Sequence, residues 1–357
     1  MMKYHHRTLF LLFVCLFNFT WLAQANTGAR ADSTVAIVAY WEVGDSRTYH
    51  VEETETGYRG QNVTEKQVNS WDATLTITES SRYAYTIEYT MTNVVFDKEN
   101  ESPVQKRIAR ILEGVKMVYE TDELGTFTRL RNWEKVLETV NARLEKILED
   151  YEEGTAEYDQ TLRALSQFFT KYVADRQKLE KNLLYVVDAI HFPFGLEYTT
   201  HREFAYDDEL VEALVADRDS YPANGTVSIN DINRDTKRLV YQRHAVADSL
   251  MLLAAFKPTI DQIGSQLLEQ FENSDDIKNE KKKKKKRKKL AEAQTKVKEI
   301  MEAARLGLVD HQEMIVDYNG GWVEDMSLQR TFYFAVADVG IFARNVKLVE
   351  VKPISSE

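Results

Sequence analysis

The chain has 357 residues, 43% of them apolar and 11% aromatic, with 46 Lys and Arg set against 57 Asp and Glu for a formal charge of −11. Such a composition supports a sizeable core and argues against global disorder and against nucleic acid as the principal partner. One cysteine, Cys15, excludes an internal disulfide and any multi-thiolate metal site.

Residues 1–25 read as a secretory leader: Lys3 and Arg7 precede an apolar run from Leu9 to Phe17 that contains Cys15, and Ala23-Gln24-Ala25 supplies a cleavage site. Its removal leaves 332 residues and takes the charge from −11 to −13, since the leader holds two cations and no acid. Export to the periplasm, the cell envelope or the outside is therefore expected. Residues 26–33, small and polar, read as a flexible tether. No later stretch reaches the ~18 apolar residues of a membrane helix, so the mature chain is expected to lack a transmembrane segment.

Four strands are predicted next, Val35–Glu42, Arg47–Glu55, Ala73–Thr78 and Arg82–Phe96, from their β-branched and aromatic content and the polar breaks between them. In the last, Tyr83, Tyr85, Ile87, Tyr89 and Met91 share a face while Thr86, Glu88, Thr90 and Thr92 share the other. That period belongs to an antiparallel sheet with one wet side. Pro103–Glu113 is predicted as a helix closed by Gly114, and Val115–Glu120 with Thr126–Leu130 as a hairpin. Asn132 is read as the N-cap of a helix whose stripe is Trp133, Val136, Leu137, Val140, Leu144, Ile147, Leu148 and Tyr151. After Gly154 a longer helical stretch, Ala156–Ile190, stops before Pro193 and Gly195.

Strand character returns at Leu196–Tyr206, Thr226–Ile232 and Arg238–Asp248. A helical hairpin is predicted from Ser249 to about Gly307, with Ile260, Leu267 and Phe271 in one arm and Leu290, Val297 and Ile300 in the other. Strands Glu313–Tyr318, Trp322–Asp325, Thr331–Val336 and Ala343–Val351 complete the chain, the first two joined by an Asn319-Gly320 pair suited to a type I′ turn. The order predicts one α+β domain over 34–352: strands 34–131, helices 132–190, strands 196–248, a helical hairpin with a basic tip 249–307, strands 309–352, then a tail 353–357. Its expected form is a large curved antiparallel sheet, open like a half-barrel and covered by helices.

The most concentrated charge is Lys281, Lys282, Lys283, Lys284, Lys285, Lys286, Arg287, Lys288 and Lys289. Such a run either contacts an anionic surface or serves as a solvated, self-repelling connector. Tyr83, Tyr85, Ile87, Tyr89 and Met91 either line a cavity for an apolar or amphiphilic ligand or pack a sheet beneath its helices. Asp231-x-Asn233-x-Asp235 opens like a calcium loop, but Thr236 and Gln242 stand where glycine and a bidentate glutamate are needed, so a polar turn is expected. The five histidines beyond the leader, His50, His191, His201, His244 and His311, have no zinc spacing. His311 with Glu313 reads as a surface pair on a strand edge. No nucleophile elbow, phosphate loop or dinucleotide fingerprint is present, so neither enzyme activity nor a cofactor is expected.

The segment Val118-Tyr119-Glu120-Thr121-Asp122-Glu123-Leu124-Gly125-Thr126-Phe127, running into Asn132-Trp133-Glu134, resembles a stretch of uncharacterised exported bacterial proteins, and Asp317–Trp322 gives a similar echo. At the level of fold, the expected sheet and helices are similar to periplasmic lipoprotein carriers and related lipid-binding half-barrels. The resemblance implies a binding protein of the envelope that holds an apolar or amphiphilic ligand or an envelope component. Two alternatives stand beside it: an interaction protein that docks a partner or an anionic surface through 249–307, and a hydrolase whose site is assembled from distant residues.

Overall fold

The structure is a computed structural model that describes residues 34–98, 103–215, 218–258, 303–336 and 341–354, with isolated helical positions between 288 and 299. The leader, the tether and most of the predicted helical hairpin lie outside the described residues. The chain from Val35 onward forms one compact unit.

After a short strand β1 (Thr34–Ala36), the chain builds a meander of β2 (Ser46–Arg59), β3 (Asn62–Ser80), β4 (Ala84–Lys98), β5 (Lys116–Asp122) and β6 (Phe127–Leu130). Helix α1 (Pro103–Ala109) interrupts it, and α2 (Trp133–Leu148), α3 (Ala156–Phe168) and α4 (Tyr185–His191) follow it. Then β7 (Glu197–Thr199) returns to pair with β1. A second meander follows: β8 (Glu203–Val215), β9 (Arg218–Asn233), β10 (Arg238–Ala247), β11 (Arg305–Asp317), β12 (Trp322–Val336) and β13 (Ile341–Pro353). Because β13 pairs antiparallel with β2, the two meanders fuse into one sheet of eleven strands, ordered β6-β5-β4-β3-β2-β13-β12-β11-β10-β9-β8. The sheet is not closed, and β6 and β8 form its edges.

Much of one face of the sheet is apolar and lies under the helices. Tyr49 and Val51 of β2, Trp71, Ala73, Leu75 and Ile77 of β3, Ile87 and Tyr89 of β4, and Met117 and Tyr119 of β5 are all buried there. The predicted stripe of α2 packs on them through Val136, Val140, Leu144 and Ile147. A separate cluster joins Leu210, Tyr221, Ala223, Ala245, Ala247, Leu306 and Leu308 to Leu252, in a helix over 249–258. Phe256 of that helix stacks on Phe332, ring centres 5.7 Å apart and 11° from parallel.

Several expectations are corrected. In Val35–Glu42 the side chains alternate, with Ile37, Ala39 and Trp41 buried, yet only Thr34–Ala36 is strand. The rest threads between loops, Ala39 N–H donating to Leu124 O and Trp41 Nε1–H to Gly321 O. Asn132 holds the N-cap position of α2 as expected but makes no side-chain cap bond; its Oδ1 accepts from Val118 N–H at 2.8 Å and its Nδ2 donates to Lys116 O at 2.9 Å, so it fastens the helix entry to β5. The stretch 156–190 is not one helix, because π-helical turns occupy Phe169–Val173 and Leu179–Leu183 and Asp175 recaps the chain by accepting from Lys178 N–H. Residues 305–307, expected to end the helical hairpin, open β11 instead.

The Asn319-Gly320 turn is also longer than a type I′ pair. Asp317 Oδ1 accepts from both Asn319 and Gly320 N–H, and the left-handed residue is Gly321, at φ 69°. A Cβ on Gly321 would stand 2.8 Å from Val38 O and 2.9 Å from Ala39 Cα, so it meets backbone as well as strain. Gly321→Ala should therefore lose more than the ~1–2 kcal/mol of a left-handed L-residue. Urea denaturation checks this, and an unaltered midpoint would show that the 37–42 segment is free to move away.

Candidate functional site

Strand register brings charge onto the helix-covered face. Asp310 of β11 lies opposite Arg330 of β12, Arg330 opposite Lys347 of β13, Lys347 opposite Glu55 of β2, and Glu55 opposite Gln67 of β3. One step along, Glu53 lies opposite Asn69. These positions share the inward phase of buried neighbours: Asp310 and Gln312 alternate in step with Leu308 and Met314, as Glu53 does with Tyr49 and Val51.

The row is heavily paired. Arg330 grips Asp310 with two bonds, Nε to Oδ1 at 2.7 Å and Nη2 to Oδ2 at 2.6 Å, and also donates to Val211 O and, at 3.3 Å, to Glu212. Lys347 Nζ is 2.7 Å from Glu53, which also accepts from Asn69 at 3.1 Å and from the Tyr185 hydroxyl. Burial alone would push the Glu53 carboxyl up, but Lys347, Tyr185 and Asn69 outweigh it and hold the pKa below its ordinary value. An apolar row would serve stability as well or better than buried ion pairs. Positions that break the apolar rule of a core in this way are where a functional site is sought.

Above the row lie two adjoining cavities. The first, about 370 Å³, has Trp71, Met91, Phe96, Ile108, Ile111, Leu112, Phe168 and Phe332 on its walls, with Glu53, Glu55, Arg330, Asn345 and Lys347 on its polar side. The second, about 350 Å³, is more polar and is lined by Lys181, Asp188, Glu209, Arg243 and Asp310 among others. Lys171, Tyr172, Asn182, Tyr185, Glu212, Arg330 and Lys347 border both. Lys171 and Tyr172 come from the first π-helical segment and Asn182 from the second. Widened turns of this kind recur at functional sites. In the polar lobe, removal from water raises the Asp188 carboxyl pKa, with Arg243 opposing and Asp208 adding to it.

No protein-family model matches the chain, nor does any curated protein sequence. Seven chains of solved structures are similar to it, among them lipovitellin, in a structure concerned with lipid–protein interactions, at 11% identity and a TM-score of 0.40. That alignment covers 88% of this chain and 25% of lipovitellin, so the chain spans about a quarter of that protein's length. A likeness this distant carries no argument about ligand or activity.

The residues singled out from sequence fall in different places. Met91 lines the first cavity, whereas Ile87 and Tyr89 are sealed in the core. Tyr85 is half-buried and donates to Ala39 O, and Tyr83 is 62% exposed beneath the Arg82 guanidinium. Of the basic run, Lys288 is helical, exposed and 3.9 Å from Glu292, while the other eight cations lie outside the described residues. Asp231, Asn233 and Asp235 sit at a hairpin turn in which Asn233 Oδ1 accepts from Asp235 and Thr236 N–H. Among the described residues no group of three or more His, Cys, Asp or Glu is placed to hold a metal. His311 and Glu313 belong to a central strand rather than an edge, and His311 faces His244 directly across it.

Proposed function

We propose that the protein is a non-enzymatic binding protein of the cell envelope that holds an amphiphile between its sheet and its helices. The carrying observation is a pair of adjoining cavities that share seven lining residues, one lobe with largely apolar walls and the other with ion-paired polar walls. Trp71, Met91, Ile108, Phe168 and Phe332 suit an alkyl chain, and the row formed by Arg330, Lys347, Glu53 and Glu55 suits a polar head. Both lobes fall within the ~300–1,000 Å³ typical of small-molecule sites, where apolar walls supply affinity and a few polar groups fix orientation. The reading joins the half-barrel expectation to the leader: the ligand would be met outside the cytoplasm.

Native mass spectrometry of residues 26–357, incubated with single-chain amphiphiles of either charge, tests the reading. A discrete adduct that disappears on denaturation is expected. Ala109 lines the apolar lobe; Ala109→Trp should fill it and abolish the adduct while the far-ultraviolet circular dichroism stays unchanged. An adduct retained in that variant, or none in the parent with any amphiphile, would overturn the proposal.

A further inference from the structure

Resting on that reading, we infer that the site selects a head group bearing a protonated amine, and that Glu55 with Asn345 receives it. The cations around the cavity are nearly all claimed by carboxylates of the protein itself. Arg330 is claimed by Asp310 and Glu212, Lys347 by Glu53, Arg243 by Asp208 at 2.6 Å, and Lys181 by Glu209 at 3.0 Å. An anionic head would meet cations already claimed; among the described residues lining the cavity Lys171 alone makes no ion pair within 4 Å, lying exposed beside the Tyr172 ring, where Glu212 and Glu55 act on it at longer range. The converse does not hold for the acids.

Glu55 has no cation within ion-pair distance among the described residues, and its hydrogen-bond partner is Asn345 Nδ2 at 2.5 Å. That bond fixes the amide, because a flip would set an oxygen against the carboxylate. Asn345 Oδ1 is left buried beside it with no donor. A buried acceptor without a donor is a cost that a ligand can remove. Two acceptors on the polar wall of the apolar lobe, one of them a carboxylate, match an ammonium group with its several N–H donors. The aromatic lining favours cations too, Lys347 Nζ already lying 4.1 Å from the centre of the Tyr185 ring.

Isothermal titration of residues 26–357 at pH 7.5 with dodecylamine, dodecanoic acid and lysophosphatidylethanolamine, each below its micellar concentration, tests this. Dodecylamine should bind at least about tenfold more tightly than dodecanoic acid, and Glu55→Gln should weaken the amine by about tenfold without weakening the acid. Glu55→Asp should restore part of the loss, and an unchanged melting temperature confirms that both variants fold. Lysophosphatidylethanolamine, which places the same ammonium on a phospholipid, should share the sensitivity to Glu55→Gln; the tighter of the two amines assigns the source. Acid binding as tight as amine binding, or indifference to Glu55→Gln, would overturn the head-group inference and leave the cavity reading standing. Failure of all three ligands would overturn both.

Discussion

Arg330→Met is expected to destabilise the protein by about 3–5 kcal/mol, the penalty for removing one partner of a buried ion pair. The Asp310 side chain is 2% exposed, and both of its oxygens are held by the guanidinium. Methionine fills much of the same volume but leaves the carboxylate in a low-dielectric setting beside Leu308 and Leu328. The same substitution frees Val211 O and Glu212 and so loosens the edge strand β8. In the double variant Asp310→Leu, Arg330→Met most of the loss should return, since the sealed Asp310 carboxylate is gone and only the partly exposed Glu212 is left without its cation. Urea denaturation of the two single variants and the double variant measures this. A loss below ~1 kcal/mol in Arg330→Met would mean that water reaches Asp310 and that the row is not sealed.

A second large effect is expected on acidification, from His191. It is 1% exposed; its Nδ1 donates to Gly125 O at 2.8 Å and its Nε2 accepts from the Tyr119 hydroxyl at 2.8 Å. The carbonyl can only accept, which fixes the tautomer, and a second proton on Nε2 would force the Tyr119 hydroxyl to turn from donor to acceptor in a buried setting. Burial depresses its pKa from 6.5 to about 4, against smaller opposing effects of Gly125 and Asp122. The unfolded chain therefore binds this proton before the folded one does. The contribution is fully present above pH 6.5, declines as the pH falls from 6.5 towards 4 and is gone below that, a loss of up to about 3 kcal/mol. His191→Gln removes the titration, so its stability gap from the parent should narrow by that amount between pH 7.5 and pH 4. A constant gap would show that His191 takes up its proton as readily in the fold as in the unfolded chain.

How much of this was legible depended on whether a segment buries one face. The stripe of α2 and the alternation of Tyr85, Ile87 and Tyr89 could be read because apolar residues mark one side of each element. The first half of β3, Asn62–Ser70, is exposed or half-exposed throughout, so no alternation announces it and only Ala73–Thr78 was predicted. In β9, Pro222 and Gly225 look like a break, yet both sit in strand, Pro222 opposite Glu209 and Gly225 opposite Tyr206. The polar row was hidden for a different reason. Asp310, Arg330, Lys347 and Glu55 are separated by up to 292 positions and make no local motif; register alone aligns them. A signal did exist, since Asp310 and Gln312 interrupt an inward series running from Leu306 to Val316, but it becomes visible only once β11 is begun at Arg305 rather than near Glu313.

The seam between β2 and β13 has a consequence for how the molecule comes into being. Eleven residue pairs there, from Arg59 with Ala343 to Tyr49 with Pro353, join parts of the chain nearly 300 positions apart. During synthesis the first meander is complete long before its central partner exists, and β2 must wait with one row of amides and carbonyls unpaired. Contacts of such separation fold slowly, and a waiting edge invites pairing with another chain. A ribosome stalled before Ile341 would thus release two half-sheets, each with an open strand at what should have been the middle. Secretion in an unfolded state would let both halves and their seam form together, in one compartment, from a finished chain.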